Sequence, residues 1–303
     1  MDYDDIAAHF LIPTGTEPAT PAVPATVARR LRDSVEVVAT IGWWSRQASE
    51  ASLSLGHDFF DGYVWGRAAA LGADVDPAVV TAAFGVFAPE LLGVVYRQGR
   101  SISGREQILA ARAQGASAGL RAATSDVSDA VVAEAGDLLL DAVLAVDAGP
   151  RALFAALRPL PLPDDPHGRL WRGAELVREH RGDTHLAACA CAGLDSIEMN
   201  VLTELWLGYP LGEYSSTRGF GPDALGDAAD RLRRRGWMDG DDLTASGRDS
   251  RLAIETVTDA GQQPLLDALG ERADRVIELG GLVSAAVIDA CAAPADPRKR
   301  AAG

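Results

Sequence analysis

Apolar residues recur every three or four positions through almost the whole chain, and that spacing commits it to helices. Val27, Leu31, Val35, Val38 and Ile41 form one such stripe, predicting a long first helix over Ala25–Glu50. Others run through Phe59–Leu71, Glu90–Arg97, Gly104–Ala123 and Asp126–Asp147, and the capping pair Asp76-Pro77 opens one more. A short helix ends at Leu157, and Pro159, Pro161 and Pro163 then make a stiff extended connector. Further on, helices are expected over Asp195–Leu207, Pro222–Gly236, Ala245–Thr258 and Pro264–Cys291, with a hairpin across Arg235–Thr244. The Pro- and Thr-rich start, residues 1–24, reads as an irregular arm, and the end, 293–303, as a disordered tail.

Charge narrows the function classes. The chain has 303 residues, with 43 Asp and Glu against 28 Lys and Arg, a net charge of −15. Such a surface repels nucleic acid and anionic lipid unless a local basic patch overrides it. Cys189, Cys191 and Cys291 do not make a disulfide framework. Acidic Asp2, Asp4 and Asp5 stand where a secretory signal would be basic, and no apolar run follows that spans a bilayer, so a cytoplasmic protein without membrane contact is expected.

The densest chemistry lies in Trp171–Met199. Arg178, Glu179, His180, Arg181, Asp183 and His185 place two imidazoles, two carboxylates and two guanidiniums in eight positions. Gly182 reads as a helix stop and Asp183 or Thr184 as the next cap, predicting a helix-to-helix corner with His185 in a first turn, where an anion is favoured. Three readings stay open. The corner is solvated and locally paired, or it is a site, or His180, Asp183 and His185 hold a metal, for which their spacing on one helix is poor. As a site it would use His180, Asp183 and His185 for acid–base catalysis, with Arg178 and Arg181 holding an anion and Trp171 beside them. Arg67, among apolar neighbours, needs a carboxylate or ligand partner, and His57 is a further ligand candidate or a simple part of a cap. No phosphate-cradling loop, dinucleotide fingerprint, nucleophile elbow or zinc-protease motif is present, so no cofactor is expected.

Two resemblances add to this. The segment RLRRRGWMDGDDLTASGR (231–248) resembles the recognition helix and wing of MarR-type winged-helix proteins over about Asp195–Asp259. GRAAALG (66–72), FGVFAP (84–89) and LVREHRGDTH (176–185) are similar to motifs of a family of actinobacterial helix-turn-helix proteins, with Ala70 in place of an expected proline. The resemblance implies a mainly α fold: a helical bundle over 25–193, then a winged-helix-like domain over 194–292 with a small β-hairpin wing. It implies no activity. Against DNA binding, residues 194–259 carry 13 acids and 7 arginines, and Asp223, Asp227 and Asp230 occupy the outward turns of the would-be reading helix. The expectation is a binder of a small anionic or aromatic molecule between the two domains, with possible acid–base chemistry. The alternative is a ligand-responsive MarR-type regulator, with the long helix over 264–291 as its candidate dimer contact.

Overall fold

The computed structural model describes residues 3–301, and among them the only sheet is a two-stranded hairpin; the rest of the regular structure is helical. A short helix α1 (Tyr3–Ile6) opens into a wide turn over Ala7–Leu11. The bundle helices follow: α2 (Val27–Trp44), α3 (Arg46–Leu53), α4 (Phe59–Ala68), α5 (Pro77–Phe84), α6 (Pro89–Ile102), α7 (Arg105–Ala123), α8 (Asp129–Ala145) and α9 (Ala152–Leu157). The central helix α10 runs unbroken from Pro166 to Cys191. Then come α11 (Ser196–Trp206), α12 (Pro222–Arg234), strands β1 (Met238–Asp239) and β2 (Asp242–Leu243), α13 (Ala245–Ala260), α14 (Gln263–Leu269), α15 (Ala273–Asp289) and α16 (Pro297–Ala301).

The periodic stripes become the main core. Leu31, Val35 and Val38 of α2 meet Leu139 and Val143 of α8, Leu170 and Ala174 of α10, and Val276, Leu279 and Val283 of α15 in one buried cluster. Glycines let α8 and α10 close up: a Cβ at Gly136 would stand 2.9 Å from the Leu170 nitrogen, and one at Gly173 would stand 2.8 Å from Leu139 Cβ. A second cluster gathers Trp65, Tyr96, Phe84 and Phe87 from α4 to α6, and a third joins α11, α12 and α13 to Ala188 and Cys189 at the end of α10.

Four expectations change. The first helix breaks at Ser45, whose hydroxyl accepts from Ala48 N and starts α3. The terminal segments are ordered: Ile6 and Leu11 are buried, and Ala295 N donates to Phe10 O at 2.8 Å, so the first and last residues described pack on each other. The long C-terminal helix is two helices, α14 and α15. Its apolar stripe joins the bundle cluster beside α2 instead of the unit formed by α11–α13, while Leu282 and Ile288 of α15 stay exposed. The fourth is the corner, treated below. No single helix among the described residues is long and apolar enough to cross a membrane.

Candidate functional site

Gly182 does not stop α10. The helix passes straight through Arg178–His185, and the side chains of that stretch reach α2, α4, α9 and α13. Asp183 is a cap, but of another helix: its Oδ2 accepts from Phe154 N at 2.9 Å at the start of α9, whose own N-terminal residue supplies no side-chain cap. The helix-start anion site expected at His185 is therefore absent from this geometry.

The arginines of α10 form buried ion-pair networks. Arg67 Nη2 reaches both Glu179 oxygens, at 2.9 and 2.8 Å, while its Nη1 donates to Tyr63 Oη at 3.0 Å. Arg178 donates to Glu36 at 3.1 Å and to Glu179 at 3.3 Å, and lies over the Trp43 ring. Burial alone would raise the Glu179 carboxyl, but the Arg67 and Arg178 guanidiniums outweigh it and hold the group below the usual range. Trp171 is fully buried between Arg112 and Arg172, both of which pair with Glu175, and its indole donates to Ala39 O at 3.3 Å. Arg181 joins Asp259 at 2.7 Å and Glu255 at 2.8 Å. Glu255 also takes Arg29 and Arg251, three guanidiniums on one carboxylate. Burial and the neighbouring Arg29 push Arg181 down to about 10.

The histidines do not converge. His180 is fully buried, with Nδ1 3.1 Å from Gln262 Oε1 and its ring edge against Phe154. Burial, aided by Arg151, lowers it to about 4. His185 points to Thr258 Oγ1 at 3.2 Å and to Cys189 Sγ at 3.6 Å. Burial beside Arg251 and Arg181 holds it well below its usual value, so both rings are neutral at pH 7. Burial lifts Asp183 to about 6. His57 lies apart, between Asp61 Oδ1 at 2.9 Å and Ser103 Oγ at 2.7 Å, buried as a strut between α4 and the end of α6. Among the described residues no group of three His, Cys, Asp or Glu side chains is arranged to hold a metal ion.

Open space lies elsewhere. A cleft of about 210 Å³ sits where α2, the Trp206 end of α11 and the end of α15 meet, roofed by Thr20–Val23 and the α16 segment. Arg29, Arg32 and Arg300 line one side, with Asp33 and Glu36 among them, and Val37, Trp206 and Ile288 give it apolar walls. Arg29 Nε is buried without a partner. Of the residues singled out from sequence, Arg178 comes nearest, one ion pair behind this wall through Glu36, and Arg181 stands two behind it through Glu255 and Arg29. A signal for the cleft was present: Arg29, Arg32 and Glu36 repeat at helical spacing along the apolar helix α2.

The pattern of a helix-turn-helix family matches residues 28–294, nearly the full length described. The chain belongs to that helix-turn-helix family. No curated protein and no solved structure matches it. Asp223, Asp227 and Asp230 of α12 are exposed. Two of its three arginines turn to protein acids, Arg231 to Asp195 at 2.6 Å and Glu198 at 3.2 Å, and Arg233 to Asp230 at 2.6 Å and Asp241 at 3.0 Å, while Arg234 is exposed.

Proposed function

We propose that this helix-turn-helix protein binds a small organic anion with a flat apolar part, held in the cleft between α2 and Trp206. In this reading α11–α13 and the hairpin form a winged-helix-like unit that does not read duplex DNA. One observation carries it: three guanidiniums and an indole line the same cleft in a chain whose net charge is −15. Guanidiniums recognise carboxylates by paired, charge-assisted donors, and an indole supplies a flat apolar wall. The volume falls below the roughly 300–1,000 Å³ of drug-sized sites, which suits a one-ring metabolite. Roofing by the terminal segments would exclude water and strengthen each charge contact. The acid–base role expected for His180, Asp183 and His185 gains no support, since none of the three lines the cleft.

Calorimetric titration with benzoate, phenylacetate and the neutral benzyl alcohol tests the proposal. The two carboxylates bind and the alcohol does not. Arg300→Ala, a change in the terminal segment outside the bundle core, weakens carboxylate binding roughly 10- to 100-fold, the worth of one charged hydrogen bond. Trp206→Ala weakens both acids. Absence of binding by the wild type, or equal binding by both variants, overturns the reading.

The second reading, a MarR-type ligand-responsive regulator, is favoured by the family match alone. It requires a salt-sensitive shift of duplex DNA by the protein. We expect none even at low salt, because the exposed turns of α12 present aspartates to the phosphates.

A further inference from the structure

A smaller cleft opens between α2, α3, α4 and α7, lined by Trp43, Ser49, Ser52, Asp58, Tyr63 and Arg112 among others, with a volume of about 30 Å³. Two of those side chains bring donors with no partner: Arg112 Nη1 and Trp43 Nε1 are both buried without a protein hydrogen bond. Arg112 is only 8% exposed, so its charge sits inside the bundle. The charges behind the cleft do not balance. Arg67, Arg112, Arg172 and Arg178 face Glu36, Glu175 and Glu179, four guanidiniums against three carboxylates, and Arg112 and Arg172 share Glu175. Asp58 lies at the exposed rim, where solvent screens its charge, and caps α4 by accepting from Phe60 N at 2.8 Å and Asp61 N at 2.9 Å.

We propose that this cleft is a second anion site, sized for a single carboxylate or similar oxyanion such as formate, received by Arg112 Nη1 and Trp43 Nε1. Water accounts for only part of what is seen. A cavity of this size has room for about two water molecules, each needing ~10–15 Å³. Water would satisfy the two donors but would leave the buried guanidinium excess uncompensated, and an unpaired buried charge is far costlier than an unpaired donor. An oxyanion answers both demands at once. The Trp43–Tyr63 pair, whose rings meet edge to face at 5.0 Å, sets the wall on the side of Arg67 and Arg178. That leaves little depth, so a ligand's tail would have to leave along the Ser49 and Ser52 side. The proposal is independent of the larger cleft and does not require that one to be occupied.

The test uses the indole as reporter. The chain has 6 tryptophans, so ¹⁵N-labelled protein gives a small, countable set of indole N–H signals, and Trp43→Phe assigns the one from Trp43. Titration with sodium formate, against sodium chloride at matched ionic strength, moves that signal to saturation with formate only. Arg112→Lys weakens the response roughly tenfold, since a single ammonium cannot keep Glu175 and also reproduce the Nη1 donor. Ser49→Leu, which blocks the open side and leaves the charges untouched, abolishes the response even if the Arg112 variant does not fold. A Trp43 signal that stays fixed in formate, drifts linearly without saturating, or moves equally with chloride means a water-filled cleft and overturns the proposal.

Discussion

α10 and α12 both carry runs of arginine beside acids, yet they use them in opposite ways. Along α10 the pairs are enclosed: Arg67 and Glu179 are 7% and 2% exposed at their side chains. At Arg233 of α12 the pairs lie in water, with Arg233 at 34% and its partners Asp230 and Asp241 at 61% and 78%. Inside the bundle the low dielectric makes each pairing strong and each missing partner severe, whereas at the surface solvent screens both. On α12, Arg231 and Arg233 pair with neighbouring acids, Arg234 is exposed, and the aspartates face outward.

The comparison breaks most sharply at Glu179. Glu179→Gln keeps the shape but leaves Arg67 and Arg178 short of a buried counter-charge, and urea unfolding should show a loss of about 3–5 kcal/mol. A loss below about 1 kcal/mol would mean that enclosure adds nothing.

A second effect separates His180 from Asp183, which lie one turn apart on α10 and are shifted in opposite senses. The His180 ring titrates at about 4 in the fold against 6.5 unfolded, so as pH falls from 6.5 to 4 the unfolded chain takes up a proton that the fold refuses, and stability drops. Asp183 titrates at about 6 against 3.8, so the fold holds a proton that the unfolded chain releases, and that contribution grows as pH falls from 6 to 3.8. Each is worth about 3 kcal/mol at one pKa unit per 1.36 kcal/mol, and they nearly cancel. Asp183→Asn should steepen the acid-side loss of stability by about 2–3 kcal/mol, and His180→Gln should flatten it by a similar amount. Parallel slopes for both variants and the wild type across pH 4 to 6.5 would remove the distinction. The smallest change is expected on the other helix: Arg233→Ala should cost less than about 1 kcal/mol in the same urea assay.

Helix positions were legible because a stripe of apolar residues is a local signal. Pro222, Thr244 and Asp195 stand at helix starts as their types suggest. The corner at Gly182 was misread for a physical reason. Glycine and aspartate in succession carry a stop-and-cap pattern, but here the backbone is pinned on both sides, by Arg181 to Glu255 and by Asp183 to Phe154 N. Those partners are 74 and 29 residues away, beyond any local pattern. The need of Arg67 for a carboxylate was legible from its surroundings; that the carboxylate is Glu179 was not. Trp171 and Arg112 belong to one stack although they are far apart in sequence, and the cleft beside Arg29 and Arg300 joins the two ends of the chain, which no window along the sequence can bring together.

Glu255 has a further consequence. Its carboxylate gathers guanidiniums from α2, α10 and α13, so one side chain ties residues 29, 181 and 251 into a single knot. Cutting the gene anywhere between the first and last of these positions would strand at least one of those arginines away from its counter-ion. A chain tied in this way should yield no half that folds alone, and its halves should melt together.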